Sequence, residues 1–225
     1  LAGSSDDLRN WRLPRGRHGL PREFVARSQR ERLQAAVVRV VGTKGYEATT
    51  VADILEQAGV GRESFYELFD DKRDCALSAH TILVEDLEQR VRSRFTAAGA
   101  WVDRIRAALA AALEWFAADP AAARFTLIEI ASVGPESRVR FQAAFQRFVA
   151  MADEGIDEGG PGPELAQAAS LAVSAVTARV YEEIVLGRGA ELPSLLPDLT
   201  YELLVPYIGE EAARVEQKKA AASGA

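Results

Sequence analysis

Thr49-Thr50-Val51-Ala52-Asp53-Ile54-Leu55-Glu56-Gln57-Ala58-Gly59-Val60-Gly61-Arg62-Glu63-Ser64-Phe65-Tyr66-Glu67-Leu68-Phe69-Asp70-Asp71-Lys72 is the stretch that decides how the chain is read. Thr50 is a helix N-cap with Asp53 three residues on, a capping box with a shorter acid. Val51, Ile54 and Leu55 give the short helix that follows one apolar face. Ala58-Gly59-Val60-Gly61 breaks it, Gly59 supplying the backbone freedom of a tight interhelical turn. A third helix runs from Arg62 to about Leu68 with Phe65 and Phe69 at i and i+4, and Asp70-Asp71-Lys72 opens a longer fourth. Two short helices across a glycine turn form a helix-turn-helix arrangement.

Upstream, Leu33, Ala36, Val37, Val40 and Val41 fall on one face of a first helix that ends near Gly42 and Gly45. The chain as a whole carries a net charge of −6, yet residues 8–46 hold ten Arg or Lys against two acids. That segment is +8 and the remainder −14, an asymmetry that points to a polyanionic partner at the N-terminal end. Residues 1–22 show no periodicity and read as a flexible basic arm, in which Arg12, Arg15 and Arg17 either enter a minor groove or serve as a plain tether.

Downstream, helical periodicity places further helices near 101–118, 121–132, 135–156, 163–186 and 193–208, punctuated by Asp119-Pro120, Gly134-Pro135 and glycine clusters. No run alternates as a strand. The expected fold is all-α: a three-helix N-terminal helix-turn-helix domain (23–71) and a larger C-terminal helical bundle (72–210), about nine helices in all. Residues 211–225 read as a disordered, Ala-rich tail.

Other classes fit poorly. Of 225 residues, one is cysteine (Cys75) and two are histidine (His18, His80), too few for a disulfide, a structural zinc site or a nucleophile–base pair. No enzyme, metal or cofactor is expected. No apolar run reaches the ~18–20 residues that span a membrane, and no charged-then-apolar leader opens the sequence. A cytoplasmic protein is expected. The competing readings are a helical scaffold whose arginines bind an acidic partner, and a regulator that answers to a partner protein.

In the turn opening the third helix, Arg62, Glu63 and Ser64 face outward. Arg can grip guanine bidentately, Glu can accept from a cytosine amino group, and Ser is permissive. Thr50, Tyr66 and Lys72 flank that helix where phosphate contacts would lie. These residues resemble the DNA-binding signature of the tetracycline-repressor (TetR) family of transcriptional regulators, most strongly over residues 24–75. The resemblance implies a homodimer on palindromic double-stranded operator DNA, released by a small-molecule effector, hence a repressor. It matches Arg62, Glu63 and Ser64 to base-facing positions, Thr50, Tyr66 and Lys72 to phosphate contacts and Gly59 to the turn glycine. The chain departs from the pattern at Glu67 and Leu68, where aromatic residues or histidine are frequent.

In the C-terminal bundle, Trp115, Phe116, Phe141, Phe145 and Tyr181 are candidates to line an effector pocket, although aromatics at that spacing also suit a core. Glu129, Thr177, Arg179 and Glu182 are polar groups among apolar ones, but Arg179 with Glu182 or Glu183 is also an ordinary helical ion pair. Stripes including Ala172 and Val176, and Leu199 and Leu203, suit either monomer core or the dimer interface that the resemblance implies for the last two helices.

Overall fold

The computed structural model describes residues 21–157 and 168–223. The arm residues Arg12, Arg15 and Arg17, and the expected helix start at Pro163, lie outside them. Nine α-helices and no strand are present among the described residues: α1 (Arg22–Lys44), α2 (Val51–Ala58), α3 (Arg62–Leu68), α4 (Lys72–Ala97), α5 (Trp101–Ala118), α6 (Pro120–Leu127), α7 (Pro135–Asp157), α8 (Ala168–Val185) and α9 (Leu196–Ser223). The all-α expectation holds. The expected 121–132 helix is instead α6 followed by a 3-10 segment, Glu129–Ser132, the change coming at Ile128. Asp119 caps α6 by accepting from the Ala121 and Ala122 amides, with Pro120 at the first helical position.

The small domain is α1–α3 around Leu33, Val37, Val41, Ile54 and Phe65, each at most 0% exposed. Its junction with the bundle is backbone to backbone. A Cβ on Gly42, in the last turns of α1, would stand 2.3 Å from the Ala121 carbonyl oxygen of α6, so only glycine permits that approach. The bundle itself is α4 against α5, with α6–α9 closing around them.

Residues 211–223 of the expected tail are helical. Helix α9 continues to Ser223, interrupted at Gly209, whose φ of 77° turns the chain. The segment beyond folds back: Gln217 donates to Asp198 at 2.9 Å, and Ala213 and Ala220 are buried. Glu216 accepts from Arg106 of α5 at 2.5 Å. An alanine-rich segment packs closely because its side chains are small, and a buried ion pair fixes its register.

No helix among the described residues is long and apolar enough to cross a membrane.

Candidate functional site

Helix α3 is seven residues long, too short to be stable alone, and it is held by its neighbours. Phe65 and Phe69 are buried, with ring centroids 5.8 Å apart. Two arginines of the basic first helix complete the fixture. Arg30 donates to the Leu68 carbonyl at the end of α3 at 2.7 Å and lies 4.5 Å from the Phe69 ring centroid. Arg32 donates to the Gly59 carbonyl, at the end of α2, at 3.0 Å. Cations at these carbonyls favour both helix ends. Part of the positive charge on residues 8–46 is therefore structural rather than free for a polyanion.

The turn between the two short helices matches its sequence reading. Thr50 accepts from the Asp53 amide, and its own amide and hydroxyl donate to Asp53 Oδ2 at 2.7 and 2.6 Å. Lys44 completes the box at 2.6 Å, and these contacts hold the Asp53 carboxyl well below the usual range, Lys44 contributing most. Gly59 adopts the left-handed conformation (φ 61°, ψ 39°).

The recognition surface divides unevenly. Arg62 and Glu63 are exposed in the first turn of α3. Ser64 is half-buried and meets Gln29 of α1 at 3.4 Å, so it faces the domain more than solvent. Thr50 is exposed, and Tyr66 stands 52% exposed with its ring edge-on to Phe65. Lys72 has a second occupation: its ammonium donates to the Tyr46 and Thr49 carbonyls at 2.8 Å each and lies 4.0 Å from the Tyr46 ring centroid. It staples the α1–α2 loop to the start of α4. Glu67 is exposed beside Tyr66, a negative charge on the same short helix.

Behind this domain the bundle holds a partly open cavity of about 150 Å³ lined from α4 to α9. Phe116, Phe141 and Phe145 line it as expected. Trp115 and Tyr181 do not. The Trp115 indole turns away to donate to Asp86 at 2.7 Å, and Tyr181 is on the surface, 45% exposed. Of the expected interface residues, Ala172, Leu199 and Leu203 are buried within the chain and Val176 is half-buried, with Val176 and Leu203 lining the cavity. The outward face of α8 carries Leu171, Tyr181 and Val185, with Leu186 just beyond it. Helical periodicity finds an apolar stripe; here both faces of α8 have one, and the pattern does not say which is inside.

Among the polar candidates, Arg179 pairs with Glu182 and Glu183, the ordinary helical arrangement. Thr177 lines the cavity but its hydroxyl donates to the Val173 carbonyl. Glu129 is buried and serves the domain junction. One oxygen accepts from Arg124 and the other from the Tyr46 amide at 2.9 Å. Sequence reasoning missed this link and the cavity residues His80 and Thr126. A carboxylate in an apolar run just past the helix α6 pattern was the available signal for Glu129; a lone histidine on the inner stripe of α4 was the signal for His80.

Helices α2 and α3, joined across the left-handed Gly59, form a helix-turn-helix. Residues 33–79 match the profile of the tetR family of bacterial regulatory proteins. It is 36% identical over 69 residues to an uncharacterized HTH-type transcriptional regulator, YezE of Bacillus subtilis. That match covers 31% of this chain and 36% of YezE, so the chain spans only about a third of the relative's length. Two solved structures share the wider fold. The fatty acid degradation regulator FadR of Bacillus halodurans superposes with a TM-score of 0.71 at 20% identity, over 78% of this chain and 94% of that one. FadR of Bacillus subtilis, solved in complex with stearoyl-CoA, gives 0.70 at 19%, over 80% and 98%. At such identities the likeness is one of fold alone.

Proposed function

We propose that the protein is a homodimeric transcriptional repressor of the cytoplasm that binds a palindromic operator and leaves it when a small molecule occupies the bundle cavity. The observation that carries the reading is the presentation of Arg62 and Glu63, exposed on a helix whose other side is locked by Phe65, Phe69 and Arg30. Arg62 and Glu63 read base edges. Thr50 and Tyr66 contact phosphates, and Lys72 supports them by fixing the loop that carries Thr50, with one ammonium hydrogen left for a phosphate. Ser64 contributes less, being turned toward Gln29. The FadR complex with stearoyl-CoA supports an effector with an apolar part.

Two recognition helices reach two half-sites only when their separation matches the DNA repeat. Helix α4 begins one turn after α3 and forms a wall of the cavity through His80, Val84 and Leu87. Helix α6 supplies another wall through Thr126 and Leu127 and abuts α1 at Gly42, and the 3-10 segment after it holds the Tyr46 amide through Glu129. A ligand that displaces either helix changes the tilt of the small domain, and the coupling is reciprocal. The partner surface is the outward face of α8, with Leu171, Tyr181 and Val185.

Selection of bound duplexes from a random pool tests the reading: an inverted repeat should emerge, with affinity that falls as salt rises. Sedimentation should show a dimer that Leu171→Glu converts to folded monomer. Failure to enrich any sequence would remove the proposal.

A further inference from the structure

We infer that the cavity takes a small, uncharged, mainly apolar molecule bearing one hydrogen-bonding group, anchored where His80 of α4 and Thr126 of α6 stand side by side. The inference rests on the effector-responsive reading above and narrows its ligand.

Polarity is the first argument. Among the described residues no charged side chain lines the cavity, and the polar ones on its wall are His80, Thr126 and Thr177. Thr177 is already satisfied by the Val173 carbonyl. His80 Nε2 and Thr126 Oγ1 have no hydrogen-bond partner, although the residues are only 1% and 3% exposed. Buried polar atoms are nearly always paired, so two orphans on one otherwise apolar wall mark a place for a ligand's polar group.

Chemistry narrows that group. The Thr126 backbone favours a hydrogen on the imidazole, and with Nε2 unpartnered this falls to the other ring nitrogen. In the neutral ring Nε2 is then an acceptor, while the Thr126 hydroxyl can donate or accept. A ligand hydroxyl can donate to Nε2 or pair with the Thr126 hydroxyl. A carboxylate would stand as an unpaired buried charge, because burial holds His80 neutral. Arg140, whose charge is felt at His80, does not line the cavity; it is exposed and engaged by the Leu77 carbonyl and the Thr81 hydroxyl.

Size is the last argument. A cavity of about 150 Å³ matches one that holds benzene and is smaller than the ~300–1,000 Å³ of sites for drug-sized ligands. A molecule of roughly six to ten heavy atoms fits this volume without rearrangement.

The test is calorimetric titration of the full chain, without DNA, with 1-hexanol, hexanoate, benzene and stearoyl-CoA at pH 7.5. 1-Hexanol should bind at least ~10-fold more tightly than hexanoate. Thr126→Val, close to the native shape, and His80→Leu should each weaken 1-hexanol by about 5-fold and leave benzene unchanged or tighter. The inference is overturned if wild type does not bind 1-hexanol, if hexanoate or stearoyl-CoA binds as tightly, or if Thr126→Val loses benzene and 1-hexanol equally. Because the readout needs no DNA, such a failure leaves the operator reading standing. Conversely, discrimination among these probes by a protein that selects no DNA sequence would sink the operator reading alone.

Discussion

The helix-turn-helix domain and the C-terminal bundle are held together by different means. In α1–α3 a small apolar core is reinforced by directional contacts: a capping box at Thr50, Arg30 and Arg32 on helix-end carbonyls, and Lys72 on the loop. Each contact demands a particular residue type at a particular place. In α4–α9 the contacts are mostly apolar and interchangeable, and they leave a void. The first arrangement suits a surface that must keep its shape against DNA. The second leaves a chamber whose wall is apolar, its directional bonds, such as Arg147 to Glu88 and Arg140 to Thr81, lying off that wall.

The junction is where breaking the comparison should cost most. Gly42→Val places side-chain atoms where α1 meets the Ala121 backbone, and backbone cannot yield as a flexible side chain does. A loss of about 3 kcal/mol in chemical denaturation is expected. A cost below ~0.5 kcal/mol would mean the two regions are not in this rigid contact.

Acid should separate the regions next. Burial lowers His80 from 6.5 to about 4. Above pH 6.5 the ring is neutral in both folded and unfolded chains, and its contribution is whole. Between pH 6.5 and 4 the unfolded chain binds a proton that the folded chain refuses, so stability falls as pH falls, by up to about 3 kcal/mol. Denaturation midpoints across that window should drop in wild type and less in His80→Leu. Parallel slopes in the two proteins would show that His80 is not neutral in its site.

A smaller effect sharpens the directional side of the comparison. Lys72→Met keeps the aliphatic stem but removes two bonds to carbonyls, for which about 1–2 kcal/mol is expected. DNA affinity should fall for all sequences alike, because the loop bearing Thr50 loosens. Altered base preference without loss of affinity would place Lys72 in the groove instead.

The same contrast governs what was legible in the sequence. Thr50, Gly59, Phe65 and Phe69 could be assigned because a cap, a left-handed turn and an i, i+4 aromatic pair each have one local solution. Arg30 and Arg32 read only as a basic face; their carbonyl partners are 38 and 27 residues away. In the bundle, Ala172 and Leu203 satisfied a stripe that periodicity could not orient, and Tyr181 looked like a pocket aromatic although it lies outside. The tail was misjudged on composition. Ala213, Glu216 and Ala220 recur at helical spacing, a signal that its alanine content concealed.

Arg62 carries the central claim most directly, because it is exposed and its loss should not disturb the fold. Wild type and Arg62→Ala should be put through the same selection from random duplex DNA, with denaturation curves confirming equal stability. Preference should relax at one base pair in each half of an inverted repeat, by about 1–3 kcal/mol, with other positions unchanged. An equal loss of affinity for every sequence would make Arg62 a phosphate ligand and contradict the placement of α3 in the groove.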